Sequence, residues 1–207
     1  MTPSSLSRRR FLGAAGTSAA AGSLLAACGG DAGPSSETSK YGEGDVGILN
    51  YALTLEHIQA AFYADLVEST RLTAAAREAL GKFGKEEEEH ISVLTKKVEE
   101  LGGDPAPKPQ TTFSLKTDGG TLELASTLEN VGAAAYLGQL PNIESDSVLE
   151  TVLTIHSVEG RHAAAMNRLQ HKPVTPDGAF AKAATVTTVL RTVAPFVGAA
   201  SNREDAV

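Results

Sequence analysis

The chain has a single cysteine among its 207 residues, no tryptophan, and an aromatic content of only 5%. One thiol excludes an internal disulfide framework and any cysteine-rich zinc or iron-sulfur site. Beyond residue 30 there is no apolar run long enough for a membrane-spanning helix, which excludes a polytopic membrane protein. The 20 glycines and 9 prolines follow no short period, which excludes a fibrous repeat. Basic residues are in deficit, 18 Lys and Arg against 25 Asp and Glu, for a formal charge of −7. Such a chain lacks the basic footprint of a nucleic-acid binder. What is present, 42% hydrophobic and 21% charged residues, suits one ordinary globular domain with short appendages.

The first appendage reads as an address. Arg8, Arg9 and Arg10 precede Phe11 and Leu12, and a small, apolar stretch runs from Gly13 to Ala27, too rich in Ala and Gly for a spanning helix. The arginine pair Arg8-Arg9, with Phe11 and Leu12 behind it, resembles the bacterial twin-arginine export signal. Leu25-Ala26-Ala27-Cys28 resembles a lipobox, which implies cleavage that leaves Cys28 as the acylated first residue of an exported lipoprotein on the outer face of the cytoplasmic membrane. That route implies a protein exported already folded, often with its cofactor in place. Losing three arginines with residues 1–27 takes the mature chain to about −10. Residues 28–44, rich in Gly, Ser and Pro, read as a flexible tether that holds the domain within roughly 20–25 Å of its anchor.

From Asp45, read as an N-cap, the pattern turns helical. Leu49, Leu53, Ala60 and Val67 mark the stripe of a first helix. A second starts near Thr73, with Ala76, Leu80, Phe83, Leu94, Val98 and Leu101 on its stripe and Gly102-Gly103 as its stop. Residues 104–120 have no helical period and make a long connection. A third helix, from about Thr121 to Leu140, is ended by Pro141 and is expected to bury Leu122, Ala125, Ala133 and Leu140. A fourth opens on a capping box, Ser147-x-x-Glu150, and carries Val152, Ile155, Met166 and Leu169 before Pro173. A short fifth helix is expected around Val186 to Val193, broken at Pro195. The expected fold is all-α: a four-helix bundle over residues 45–170 with one long crossover between helices 2 and 3, and an extension over 171–207.

Each stripe has gaps, and they are filled by acids and histidines. Glu56 lies between Leu53 and Ala60, Glu87 and His90 between Phe83 and Leu94, Glu129 between Ala125 and Ala133, and Glu159 and His162 between Ile155 and Met166. Glu87 with His90, and Glu159 with His162, are three residues apart and share a helix face. Four carboxylates and two imidazoles therefore converge in the bundle, with no Lys or Arg on these stripes. Burying them costs several kcal/mol per ion unless they are paired or bound to metal. Two divalent cations would neutralise the four acids and accept the two imidazoles.

The pattern is duplicated. Glu56 precedes Glu87 by 31 residues and Glu129 precedes Glu159 by 30, and Glu56-His-Ile-Gln-Ala-Ala-Phe-Tyr63 recurs as Glu129-Asn-Val-Gly-Ala-Ala-Ala-Tyr136. One Glu-x-x-His is expected by chance about 0.4 times at this composition; two in register carry far more weight. On these residues the chain resembles the ferritin-like superfamily of di-iron and di-manganese carboxylate proteins, and within it the bacterial secreted ferritin-like proteins related to plant desiccation-related proteins. The resemblance, over residues 47–170, implies two iron or two manganese ions. By position, Glu56 and Glu129 would be terminal ligands, Glu87 and Glu159 bridges, and His90 and His162 one ligand to each metal. Tyr63 and Tyr136 would be hydrogen-bond partners of the ligands or radical-quenching residues; the plainer reading is core packing with a satisfied hydroxyl.

Some family features are missing. No CxxC pair supplies a rubredoxin-type electron source, and no Asp follows either histidine by three residues to orient its ring. Glu86, Glu88 and Glu89 turn away from Glu87 and read as a solvated face, Glu86 being the one to check as an extra ligand. His57, His156 and His171 read as surface or packing histidines. Two functions are compatible with these residues. One is oxygen or hydrogen peroxide chemistry at two metals, of ferroxidase, peroxidase or catalase type. The other is a non-catalytic stress- or desiccation-related surface lipoprotein with a structural metal site or none. Ala60, Ala61, Ala133 and Ala134 leave room for a small molecule beside the ligands, which favours the first. A homodimer is the default assembly for such bundles.

Overall fold

The computed structural model describes residues 38–68, 73–115 and 117–198. The export-signal residues Arg8 and Arg9, the lipobox Cys28 and most of the tether lie outside them. Among the described residues five α-helices follow in order: α1 (Gly44–Glu68), α2 (Ala74–Glu100), α3 (Asp118–Gln139), α4 (Asp146–Leu169) and the short α5 (Val186–Val193). α1 pairs with α2 and α3 with α4; the two hairpins meet through α1 against α3 and α2 against α4. This is the expected bundle, with residues 101–117 as its crossover. No helix among the described residues is long and apolar enough to cross a membrane.

Threonines start three of the helices. Thr73 Oγ1 accepts from the Ala76 amide at 3.2 Å, Thr117 Oγ1 from Gly120 at 3.1 Å and Thr185 Oγ1 from Thr188 at 3.2 Å, each satisfying an amide that the helix leaves unpaired. α2 stops where expected. Gly102 takes a left-handed φ of 76°, and the amides of Gly102 and Gly103 return to the carbonyls of Glu99 and Val98 at 2.9 and 3.0 Å.

Two caps differ from the sequence reading. Asp45 lies inside the first turn of α1, and its carboxylate accepts from the amides of Glu144 and Ser145 at 2.9 and 2.8 Å, immediately before α4. The N-cap of α4 is Ser145, which places Ser147 inside the helix and removes the capping box with Glu150. A cap delivered from another helix leaves no trace in local spacing. α3 likewise begins three residues earlier than expected, at Asp118.

The stripes also need correction. α1 is buried almost all round from Gly47 to Tyr63, since it packs on both α2 and α3, so Leu55, Ile58, Phe62 and Leu66 join its core face while Ala60 and Val67 are half-buried. Leu122, Ala133 and Leu140 are half-buried, and Leu128 and Ala135 take the core places on α3. Leu101 and Leu169, the last members of their stripes, are exposed; Leu101 is the C-cap of α2 and Leu169 the last residue of α4.

Two apolar clusters fill the bundle. One gathers Leu49, Leu53, Leu94, Val98, Val148, Val152 and Ile155; the other gathers Ile58, Phe62, Leu66, Leu80, Ala125, Leu128 and Met166. The layer of acids and histidines lies between them in helix register. α5 is part of the second cluster, with Val186, Val189 and Val193 buried against it. The chain after α5 meets the crossover, where Thr112 donates to the Phe196 carbonyl and Gly198 to that of Gln110, both at 2.9 Å, and Phe113 packs between Phe62 and Phe196.

The other end of the crossover is held by one side chain. Asn50 Nδ2 donates to the carbonyls of Tyr41 and Asp104 at 3.0 and 2.9 Å, and Asn50 Oδ1 accepts from the Ala106 amide at 2.8 Å. Asn50→Ala removes the partner of three backbone groups at this part-buried junction. We expect it to lower unfolding free energy by about 2 kcal/mol, read from urea denaturation; a change within error would show that water replaces these bonds freely.

Candidate metal centre

All six residues expected at the site meet in the core. Glu56, Glu87, Glu129 and Glu159 have no exposed surface, and His90 and His162 retain 8% and 3%. Their ligand atoms form two overlapping groups: Glu56, Glu87, His90 and Glu159, and Glu87, Glu129, Glu159 and His162, each within 4.8 Å. Glu87 and Glu159 belong to both. Glu87 turns Oε2 toward His90 Nδ1 at 3.1 Å and Oε1 toward His162 Nδ1 at 2.9 Å. His90 Nδ1 also lies 3.2 Å from Glu56 Oε2 and 3.4 Å from Glu159 Oε1, and His162 Nδ1 lies 3.5 Å from Glu129 Oε2.

The tyrosines cross between repeats. Tyr136 Oη donates to Glu56 Oε1 at 2.5 Å, and Tyr63 Oη donates to Glu129 Oε1. Each acid is therefore held by the tyrosine of the other hairpin, and both tyrosines are buried. Burial, with the acids around them, pushes both phenols well above their ordinary range, so each remains a donor.

Four parts of the site were not among the expected ligands or their partners. Glu86, the acid singled out on the solvated face, stays half-exposed and turns Oε2 to accept from His162 Nε2 at 2.6 Å. The angular separation of Glu86 from Glu87 on α2 is real, but His162 arrives from α4 on that side. The Phe83 ring stacks on the same imidazole, centroids 4.1 Å apart. Gln59 Nε2 donates to Glu159 Oε2 at 3.0 Å. Its sequence signal was available, since Gln59 is three residues after Glu56 and shares its face. Gly132 supplies the space: a Cβ there would meet Glu159 Oε2 at 2.7 Å and Gln59 Oε1 at 3.1 Å. His57, His156 and His171 stay outside both groups.

The charge balance favours cations at the site. Burial pushes Glu56 from 4.5 to about 7 against the pull of His90, with the Glu87 charge adding to the rise, and burial does the same to Glu129, at about 7, against His162. Glu159 is also raised, by burial and then by Glu56. Burial would lower His90, but hydrogen bonds to Glu159, Glu56 and Glu87 hold it up at about 12; Glu129 and Glu87 hold His162 at about 11 against the same burial. Protons thus stand where cations would serve. Two buried carboxylate oxygens, Glu129 Oε2 and Glu159 Oε1, have no partner beyond long contacts to His162 Nδ1 at 3.5 Å and His90 Nδ1 at 3.4 Å. Three carboxylates and one imidazole per group, with unpartnered oxygens turned inward, fit divalent iron or manganese.

A profile of the family described as Ferritin-like domain matches residues 44–172, more than half of the chain. The chain belongs to this family of ferritin-like proteins. No curated protein matches it.

The protons in the site set a pH dependence. Glu56 and Glu129, raised from 4.5 to about 7, stabilise the fold fully below pH 4.5 and lose that contribution as pH rises through 7. His90 and His162, raised from 6.5, act with the same sign, from pH 6.5 up toward 11 and 12. Metal-free protein should therefore unfold at a lower temperature at pH 9 than at pH 6. Excess Mn(II), which competes with those protons, should raise the midpoint more at pH 8 than at pH 6. Calorimetry in chelated buffer, with and without that excess, checks both, and a metal-free midpoint that climbs from pH 6 to pH 9 would contradict the charge balance.

Proposed function

We propose that this protein is a dinuclear iron or manganese carboxylate protein that handles oxidants or iron, of ferroxidase, peroxidase or catalase type, at the bacterial cell envelope. The observation that carries the reading is the sharing of Glu87 and Glu159 by two groups that each have an acid and a histidine of their own. A single ion needs no such duplication, and a purely structural ion pair needs no second set of inward oxygens. Bound iron or manganese would supply two adjacent one-electron centres for the reduction of oxygen or peroxide.

The residues around the ions have separate tasks in this reading. Glu56 with His90, and Glu129 with His162, would each hold one ion, and Glu87 and Glu159, which belong to both groups, would serve both. Tyr136 and Tyr63 orient the outer acids through their hydroxyls and keep an O–H within reach of the site. The two apolar clusters keep bulk water from the ligands. Between α1 and α2 a cleft of about 550 Å³ is lined by Ala60, Tyr63 and Gly84 among others, which brings a solvent-reached surface to one of the two tyrosines. Residues 1–28 support export through the twin-arginine route and anchoring through acylated Cys28.

Metal analysis of the full chain tests this reading. We expect two iron or manganese ions per chain in the wild type and fewer than about 0.2 in Glu87→Ala/Glu159→Ala. Anaerobic Fe(II) followed by oxygen or peroxide should give fast oxidation in the wild type and at least tenfold slower oxidation in the double variant. A wild type that folds stably without metal and takes up none would sink the proposal and leave a non-catalytic surface protein. Separately, Cys28→Ser should move the protein from the membrane fraction to the soluble exported fraction.

A further inference from the structure

The duplication that builds the site is not kept around its histidines. His162 is flanked by two residues of α2: Phe83 stacks on its ring, and Glu86 Oε2 accepts from its Nε2 at 2.6 Å. Aligning Glu87-x-x-His90 with Glu159-x-x-His162 puts Ile155 at the place of Phe83 and Val158 at the place of Glu86. Neither side chain accepts a hydrogen bond. The two imidazoles therefore present the same Nδ1 to the acids with different support behind it.

Imidazole chemistry makes that difference matter. An acceptor on Nε2 fixes that nitrogen as the protonated one, leaves the Nδ1 lone pair for a cation, and makes it a stronger donor. The stacked Phe83 ring also holds the plane of the imidazole. Glu86 is half-exposed, its side chain retaining 49% of its surface, whereas His162 retains 4%. The contact therefore joins a buried ligand to a carboxylate that solvent reaches, and the desolvation cost of the charge is small.

We propose that the two metal positions are unequal by construction, with Glu86 the positioning residue that makes the position completed by His162 the tighter of the two. This rests on the dinuclear reading above. Loading is then ordered: the first ion goes to the side of Glu129 and His162, the second to the side of Glu56 and His90.

Calorimetric Mn(II) binding to the metal-free full chain tests it. The wild type should bind two ions in two resolved steps. Glu86→Gln should weaken the tighter step about 10- to 100-fold, a loss typical of outer-sphere partners, and leave the weaker step in place. Glu88→Gln, the same charge change two residues away on an exposed side chain, should leave both steps unaltered. Glu86→Gln should add nothing to His162→Ala yet keep its full effect on His90→Ala, because it acts through one ring only. Far-UV circular dichroism confirms that each variant is folded. Equal affinities in the wild type, a Glu86→Gln isotherm that overlays it, or equal weakening of both steps would each overturn the inference. A wild type that binds no Mn(II) and no Fe(II) would overturn the metal-site reading itself.

Discussion

The structure depends on one constraint: four carboxylates and two imidazoles are enclosed between two apolar clusters. Burial alone would force the acids to protonate and the histidines to lose their protons. Gathered in two groups whose ligand atoms lie within 4.8 Å of one another, they do otherwise. The histidines are held well above their ordinary range by the neighbouring acids, while burial pushes Glu56 and Glu129 up to about 7 and raises Glu159 as well. Cations held among these side chains would offset the desolvation cost of burying their charges, which is a physical argument for a metal that fold resemblance alone does not provide.

Much of the rest supports that layer. Gly132 leaves space for Gln59 and Glu159 to meet, and the tyrosines tie each terminal acid to the opposite hairpin. The crossing of Tyr63 to Glu129 and Tyr136 to Glu56 means that neither hairpin completes its half of the site alone. Asp45 extends the same logic to the fold, since a side chain of α1 caps the start of α4. The exchange of partners between repeats is what joins two short hairpins into one body.

Legibility followed the range of the interaction. The five helices, the long crossover and the six converging residues were all readable, because each depends on spacing along one helix or on a local stop such as Gly102. The start of α4 differed, since its N-cap is Ser145, and Leu101 and Leu169, at helix ends, proved exposed rather than buried. Glu86 departs from its sequence reading as well. Its angle on α2 is as expected, but whether that angle faces water or His162 depends on where α4 lies.

The sequence by itself determined which helix faces carry charge into the core and that the pattern occurs twice, because the helical period fixes direction about one axis. The tertiary structure alone decided which oxygen meets which nitrogen, which tyrosine serves which acid, and that the duplication fails at Phe83 and Glu86. Those contacts depend on the separation and register of different helices, which no periodicity within a single one encodes.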